Sequence, residues 1–152
     1  MGLKGINRYL ILILKGIWYL YFGNEWAKER IVKEQISGLS LVQAILPLKP
    51  PDLPYELIFS NSLLHHLHDP SVLWTELKRQ GQKGTKVFIM DLCRPVSENR
   101  AREIVEQYAG DEPEVLKHDF FHSLRAAFTP EELHDQLEHA NLEHLQVQQI
   151  TD

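Results

Sequence analysis

Short apolar runs alternate along this chain with amphipathic segments, and one run ends abruptly in polar residues. The apolar residues 57–59 predict a strand over 56–60 that is buried on both faces, and the polar residues 60–62 follow where it would emerge. Further strands are predicted over 39–46 and 86–92. Because ligands of open α/β sheets bind at the carboxyl ends of the strands, residues 60–62 are candidates for a binding site.

Amphipathic segments lie between these runs. Apolar residues recur at helical spacing from 26 to 38, which predicts a first helix. The proline-rich segment 47–54 is a stiff connector. Asp69 can cap a second helix, with Pro70 at its first position and an end near the glycines of 81–84. The first half of the chain therefore alternates strands with helices.

The second half continues the alternation. Ser97 can cap a helix that Gly110 ends, and residues 111–128 predict only a helical turn or two. Residues 129–132 combine a cap, a proline and a glutamate, so they predict the start of a helix that Asn141 ends. A final strand is predicted over 142–150. The positions expected to face inward from these helices are Ala101, Ile104, Val105, Tyr108, Leu133, Leu137 and Ala140.

This alternation predicts an α/β fold with a mostly parallel sheet and helices on both faces. A length of 152 residues fits a single domain over 1–152. Within it, residues 97–128 lie outside a minimal strand–helix alternation, and we interpret them as a lid-like insertion. Hydrophobic residues make up 43% of the chain and charged residues 24%, which is typical of a globular protein.

The net charge and the cysteine content limit which partners and which cellular compartment are expected. The formal charge is −5 and there is no basic block, so nucleic acid is not expected as a partner. The one cysteine, Cys93, cannot form an internal disulfide, which favours a reducing compartment and a cytoplasmic location. We expect Cys93 to be a small apolar residue, because no histidine partner is near it in sequence.

The apolar segment 9–22 is the one candidate for membrane contact. A transmembrane helix needs about 20 apolar residues. This segment is shorter and carries Lys15 at its middle. We therefore expect a buried strand or helix there and no membrane partner. A membrane-tethered accessory protein that uses 9–22 is the minor alternative.

The stretch Tyr55-Glu-Leu-Ile-Phe-Ser-Asn-Ser-Leu-Leu-His-His-Leu-His-Asp-Pro70 resembles the fourth-strand motif of class I S-adenosylmethionine-dependent methyltransferases of the small-molecule type, methyltransferase type 11-like. Two further segments extend the resemblance: Val87-Phe-Ile-Met-Asp91-Leu-Cys-Arg94-Pro95, and the segment 128–133 that opens the last predicted helix. Together they cover about residues 39–150. The resemblance implies a Rossmann-like methyltransferase sheet and transfer of a methyl group from S-adenosylmethionine to a small-molecule acceptor.

The resemblance also implies roles for single residues. Asn61 and Ser62 would contact the cofactor, and Glu25 is the nearest candidate for the acidic residue that accepts hydrogen bonds from the ribose. Asp91 and Arg94 would face the substrate, where Arg94 could pair a substrate carboxylate; a surface ion pair between Asp91 and Arg94 is the alternative. His66 is the candidate general base, because an imidazole titrates near neutral pH, although a structural role for His65 and His66 is the alternative that we favour.

The front of the chain departs from the family pattern. The family binds its cofactor with a glycine-rich turn after the first strand, whereas residues 15–23 carry bulky aromatic side chains there. We therefore interpret 1–38 as a degenerate or truncated front portion and 39–152 as a family-like back portion. The alternative function is a catalytically inactive remnant that serves as an interaction or scaffold domain, docking an exposed sheet edge onto a partner or onto a second copy in a homodimer.

Histidines and acidic residues also suggest metal binding. His118 and His122 are four residues apart, which places both imidazoles on one face of a helix. No glutamate stands beside His118 as in a His-Glu-x-x-His motif, so we predict no metal site. The other residues weighed as metal ligands are His65, His66, His68, Asp69 and Asp119.

Overall fold

The computed structural model describes residues 9–13, 29, 32–35 and 45–151. The elements in chain order are β1 (Tyr9–Ile13), β2 (Leu57–Asn61), a 3-10 helix (Leu64–His66), α1 (Ser71–Gln80), β3 (Lys86–Met90), α2 (Glu98–Ala109), α3 (Glu114–Ala126) and α4 (Pro130–His139). In this part of the chain no helix is long and apolar enough to cross a membrane. Most of the predicted helix 26–38 and of the predicted strand 39–46 lies outside the described residues.

The three described strands form a parallel sheet in the order β1-β2-β3. In this register the last residues of the strands, Ile13, Asn61 and Met90, are level with one another. All three carboxyl ends therefore lie at one edge of the sheet. The predicted α/β fold with a parallel sheet is confirmed, and β1 confirms that segment 9–22 contributes a strand.

One face of the sheet is covered by helices. Ile58 of β2 shares a buried core with Leu73 and Leu77 of α1 and with Leu137 of α4. Trp74 of α1 donates a hydrogen bond from Nε1 to Gln136 Oε1 of α4, at 3.0 Å, so the two helices are joined by packing and by a polar contact. Burial of these apolar side chains is the main stabilising contribution on this face.

Phe59 and Phe88 point to the opposite face. Their rings are stacked with centroids 5.4 Å apart. Phe88 is 50% exposed and Met90 is 49% exposed. Large apolar side chains therefore remain open to solvent on this face.

A buried glutamate ties the proline-rich connector to α1. Glu76 is completely buried; its Oε2 accepts hydrogen bonds from Leu48 N (3.2 Å) and Gln80 Nε2 (3.0 Å), and its Oε1 accepts one from Arg79 Nη1 (2.7 Å). Gln80 Nε2 also donates to Lys49 O. The buried carboxylate thus has several hydrogen-bond donors, which offsets the cost of removing its charge from water.

The helices α2 and α3 form a smaller unit with its own core. Ile104 and Val105 of α2 are buried with Leu124 of α3, as the helical spacing predicts. Tyr108, also predicted to face inward, is 66% exposed, so this prediction is wrong and the buried stripe of α2 ends at Val105. α3 also contacts the 3-10 helix. At 13 residues it is longer than the turn or two predicted for 111–128.

The predicted caps are largely confirmed. Ser97 Oγ accepts a hydrogen bond from Arg100 N at the start of α2. Thr129 and Glu132 form the predicted capping box of α4. Asp69 Oδ1 accepts a hydrogen bond from Ser71 N, and α1 begins at Ser71, one residue later than predicted.

The predicted final strand over 142–150 is wrong. Asn141 adopts a left-handed φ of 52° after α4, and the chain then makes a turn in which Leu145 N donates to Leu142 O. Leu142, Leu145 and Val147 pack against the main core from an irregular segment. Their alternating apolar pattern is therefore satisfied by core packing without a strand partner.

Candidate functional site

The carboxyl edge of the sheet presents the polar residues that follow β2. Asn61 is the last residue of this central strand and is partly buried. Ser62 is exposed and has a φ of 51°, a left-handed conformation that is uncommon for a residue other than glycine. Its N–H donates to Met90 O at 2.9 Å, which holds the exit of β2 against the end of β3. Strained backbone of this kind often occurs where a loop forms part of a binding site.

Asp91 connects the two loops that leave β2 and β3. Its Oδ2 accepts a hydrogen bond from Leu64 N (2.7 Å) and its Oδ1 accepts one from Leu92 N (2.8 Å). The same Oδ1 forms a close contact with His65 Nδ1. The two side chains are 10% and 4% exposed, so the pair is shielded from water.

Opposing effects act on the Asp91 carboxyl group. Burial raises its pKa, but the hydrogen bond and charge of His65, together with the amides of Leu92 and Leu64, outweigh burial and hold the pKa below its ordinary value. The ionised form is therefore favoured. Asp91 acts as an acceptor that fixes the 3-10 helix relative to β3.

His66 lies beside this pair and is more exposed than either of its members, although its ring is partly desolvated by its neighbours. Its ring centroid is 3.9 Å from that of His65. Partial burial and the neighbouring His65 lower the pKa of His66, while the carboxylates of Asp91 and of Asp119 on α3 act in the opposite direction. A lowered pKa leaves the imidazole neutral and able to accept a proton at neutral pH.

Arg94 faces a different neighbour. Its guanidinium pairs with Glu132 of the α4 capping box, and the backbone N–H of Arg94 donates to Phe128 O at 3.2 Å. Cys93 forms a parallel bridge with Phe128, which joins the exit of β3 to the start of α4. Burial and the charge of Glu131 raise the pKa of the Cys93 thiol, so the thiol form is favoured over the nucleophilic thiolate.

The structure brings most of the predicted site residues to one edge. Asn61, Ser62, His66 and Asp91 all follow or end neighbouring parallel strands. Arg94 also follows β3 but is paired on the α4 side. The remaining candidate, at position 25, lies outside the described residues. The assigned roles of all six residues remain predictions.

The contact between His65 and Asp91 was missed by the sequence analysis, which expected Asp91 to face the substrate. The available signal was strand order, since residues that follow adjacent parallel strands emerge side by side. Register brings the two strand exits together, since Asn61 is level with Met90, and the turn and 3-10 helix after β2 then carry His65 to Asp91.

Other candidate sites lie elsewhere. Among the described residues no group of three or more histidine, cysteine, aspartate or glutamate side chains is arranged to hold a metal ion. A cavity of about 550 Å³ lies between α1 and α4, lined in part by Trp74, Lys78 and Gln136. Neither Asn61 nor Ser62, the two described residues predicted to contact the cofactor, lines this cavity, so we place the candidate site at the sheet edge.

Comparison with known proteins identifies the fold. No protein-family model matches the chain, and no curated protein matches it. Two crystal structures of the plantazolicin methyltransferase BpumL are similar, one in complex with SAH and a monoazolic desmethylPZN analog and the other with SAH and a triazolic analog.

Each has a TM-score of 0.53 and 14% sequence identity over 87% of this chain. The chain spans 55% and 54% of the two BpumL chains, about half their length. At this identity the likeness concerns architecture. The protein therefore has an α/β, Rossmann-like fold of the methyltransferase type.

Proposed function

We propose that this chain is an S-adenosylmethionine-dependent methyltransferase domain that methylates a small-molecule acceptor. The observation that carries the proposal is the shared edge at which β1, β2 and β3 end, with Asn61, Ser62 and the Asp91–His65 pair beside one another. The methyltransferase fold of the similar structures supports it. In open α/β sheets such an edge is the usual position of a ligand.

The donor and acceptor groups at this edge fit such a cofactor. The carboxamide of Asn61 offers both a donor and an acceptor, and the Ser62 hydroxyl offers the same on an exposed turn. We propose that Asn61 and Ser62 hold the cofactor and that Glu25, outside the described residues, binds its ribose. When bound, S-adenosylmethionine supplies a methyl group on a sulfonium, which a nucleophile in line with it can accept.

The other residues at this edge are proposed to position the loop after β2 or to assist proton transfer. Asp91 holds the loop after β2 through Leu64 and His65, and this keeps Asn61 and Ser62 in place. His66 is the candidate general base that would accept a proton from the acceptor, since it is exposed next to this pair, and a structural role is the alternative that the sequence favours.

Substrate contact by Arg94 is retained as a proposal. Because its guanidinium is paired with Glu132, binding of a substrate carboxylate would require exchange of that partner. Because Asp91 is bonded to Leu64 and His65, we propose that it affects substrate binding indirectly, by positioning the loop after β2.

Segment 97–128 is proposed to be the lid of a single domain over 1–152. The contact of α3 with the 3-10 helix supports this, because it places part of the segment beside the candidate edge. The cytoplasmic location and the homodimer through a sheet edge remain predictions.

Calorimetric titration with S-adenosylmethionine and S-adenosylhomocysteine tests the proposal, with circular dichroism of the same sample as a check of folding. We expect one ligand per chain with micromolar affinity. Asn61→Ala should weaken binding by about tenfold, the loss of one or two hydrogen bonds. Gln82→Ala, an exposed substitution before β3 at the opposite end of the sheet, is the matched control and should bind as the unaltered chain does.

A folded chain that binds neither ligand would contradict the proposed cofactor. That result would favour the inactive scaffold, which sedimentation at increasing protein concentration would then examine. Equal affinities of the Asn61→Ala and Gln82→Ala variants would show that the cofactor is held elsewhere.

A further inference from the structure

Two histidines on α3 approach each other closely at the surface. His118 Nε2 and His122 Nε2 are 3.1 Å apart, and both residues are exposed. We propose that His118 and His122 form a binding site for a divalent late first-row transition-metal cation, such as Ni²⁺ or Zn²⁺. This inference is independent of the proposed methyl transfer.

The geometry of the two rings suits chelation. Their centroids are 4.3 Å apart, so the rings converge toward their Nε2 atoms, which are closer than the centroids. With a metal–nitrogen distance of about 2.05 Å, a nitrogen–nitrogen distance of 3.1 Å corresponds to an N–metal–N angle of about 100°. This angle lies between those of square-planar and tetrahedral coordination, so the spacing allows one cation to contact both nitrogens in place of the hydrogen bond between them.

The chemistry of the pair selects the class of cation. Imidazole nitrogens suit nickel, copper and zinc, whereas calcium and magnesium prefer oxygen ligands. Two protein ligands leave the remaining positions to water, which both nickel and zinc accept. The sequence analysis predicted no metal site because no glutamate stands beside His118 as in a His-Glu-x-x-His motif; the distance between the two imidazoles is the reason to propose a two-ligand site instead.

The surroundings of the pair restrict its motion. The Phe121 ring contacts His122 edge-on, with centroids 5.5 Å apart. The guanidinium of Arg102, a residue of α2, lies 4.6 Å from the centre of the Phe121 ring on α3. Leu124, one turn further along, is buried between α2 and α3. The backbone that carries both histidines is therefore held by tertiary packing, and less ordering is required when the cation binds.

Titration of the tag-free protein with NiCl₂ by calorimetry tests this site. We expect one Ni²⁺ per chain, and an affinity at least about tenfold lower in His118→Ala and in His122→Ala, because each variant reduces chelation to a single ligand. His134→Ala is the matched control: His134 is also exposed on a helix, and its loss should leave the affinity unchanged. His118→Gln, which keeps a polar helix-compatible side chain, should weaken binding as His118→Ala does.

Nitrogen-15 spectra of the histidine rings during a ZnCl₂ titration give the atomic assignment. The Nε2 resonances of His118 and His122 should shift together, and those of His65 and His66 should not. Absence of Ni²⁺ binding at millimolar concentration would overturn the proposal, as would equal affinities of His118→Ala, His122→Ala and His134→Ala. Circular dichroism of each variant confirms that it is folded.

Discussion

At the scale of single residues, the candidate site depends on one carboxylate with several partners. Asp91 accepts hydrogen bonds from two backbone amides and contacts His65, and these groups are buried together. A buried acceptor of this kind stabilises the fold only while its donors remain satisfied. Asp91 therefore links stability of the fold to the geometry of the loop after β2.

Asp91→Asn should lower the free energy of unfolding at pH 7 by about 1.5–3 kcal/mol, because hydrogen bonds to a charged acceptor are replaced by weaker ones. The folded-state pKa of Asp91 lies below the unfolded value, so the ionised group stabilises the protein above about pH 3.9. That contribution is lost as the pH falls through the lower, folded-state pKa. Urea unfolding at pH 7 and at decreasing pH measures both effects.

Asp52→Asn, an exposed change in the proline-rich connector, is the control for this experiment and should have little effect on the free energy of unfolding at pH 7. A loss at pH 7 that is the same for Asp52→Asn and Asp91→Asn would contradict the assignment of Asp91 as the acceptor.

His66 provides a second prediction at this scale. Its pKa should be below 6.5 in the folded protein, because partial burial and His65 disfavour the charged form. Asp119→Asn should lower this pKa further, since the Asp119 carboxylate favours the imidazolium. Ring-proton chemical shifts followed against pH measure the change, and a higher pKa in Asp119→Asn would show that α3 does not face His66 as described.

At the scale of elements, two groups of polar contacts attach the segments that flank the sheet. Glu76 joins α1 to the connector before β2, and the capping box of Thr129 and Glu132 defines the start of α4. Arg94 adds to the second arrangement by pairing with Glu132. The elements that flank the sheet are thus attached by polar groups as well as by apolar packing.

Glu76→Ala should destabilise the protein by about 3 kcal/mol or more, because it leaves several donors without their buried acceptor. Amide hydrogen exchange at Leu48, which donates to Glu76, should become faster. Glu138→Ala, at an exposed position on α4, is the control. Protection of the Leu48 amide that is the same in both variants would contradict the proposed attachment of the connector.

Thr129→Ala should cost about 1 kcal/mol, the usual value for loss of an N-cap hydroxyl. Thr129→Ser keeps the hydroxyl and should retain most of the stability. Guanidinium unfolding of the two variants measures the difference. If serine and alanine were equally destabilising, the methyl group and not the cap would be responsible.

At the scale of the whole molecule, the described residues form two cores. The larger one lies between the sheet, α1 and α4, and the smaller one lies between α2 and α3. The contact between α3 and the 3-10 helix connects the smaller unit to the sheet edge. Because the smaller core has fewer buried side chains, it is the region expected to open first.

Ile104→Ala should speed hydrogen exchange in α2 and α3 more than in β2 and α1, because it removes a buried side chain worth about 2–5 kcal/mol from the smaller core alone. Leu73→Ala, in the larger core, should speed exchange in all four elements. Native-state hydrogen exchange followed by NMR distinguishes these two exchange patterns. An equal increase in β2 and α2 for Ile104→Ala would mean that the chain opens as one cooperative unit.

The caps and the core-facing positions of α2 and α4 could largely be predicted from the sequence. Ser97, Thr129 and Glu132 act on amides within three residues, and the helical period places Ile104 and Leu137 inward. These are local properties of the chain. The prediction failed where the same apolar pattern could be satisfied in two ways, as at 142–150, where packing against the core replaces strand pairing.

The sequence by itself determined the α/β class, the strands around 57–61 and 86–90, and the starts of the last helices, because each depends on side chains that are close along the chain. Only the tertiary structure decided that Asp91 contacts His65 and that Arg94 contacts Glu132. The first pair is separated by 26 positions in the sequence and the second by 38. Such pairs meet through strand register and helix packing, which local patterns do not specify.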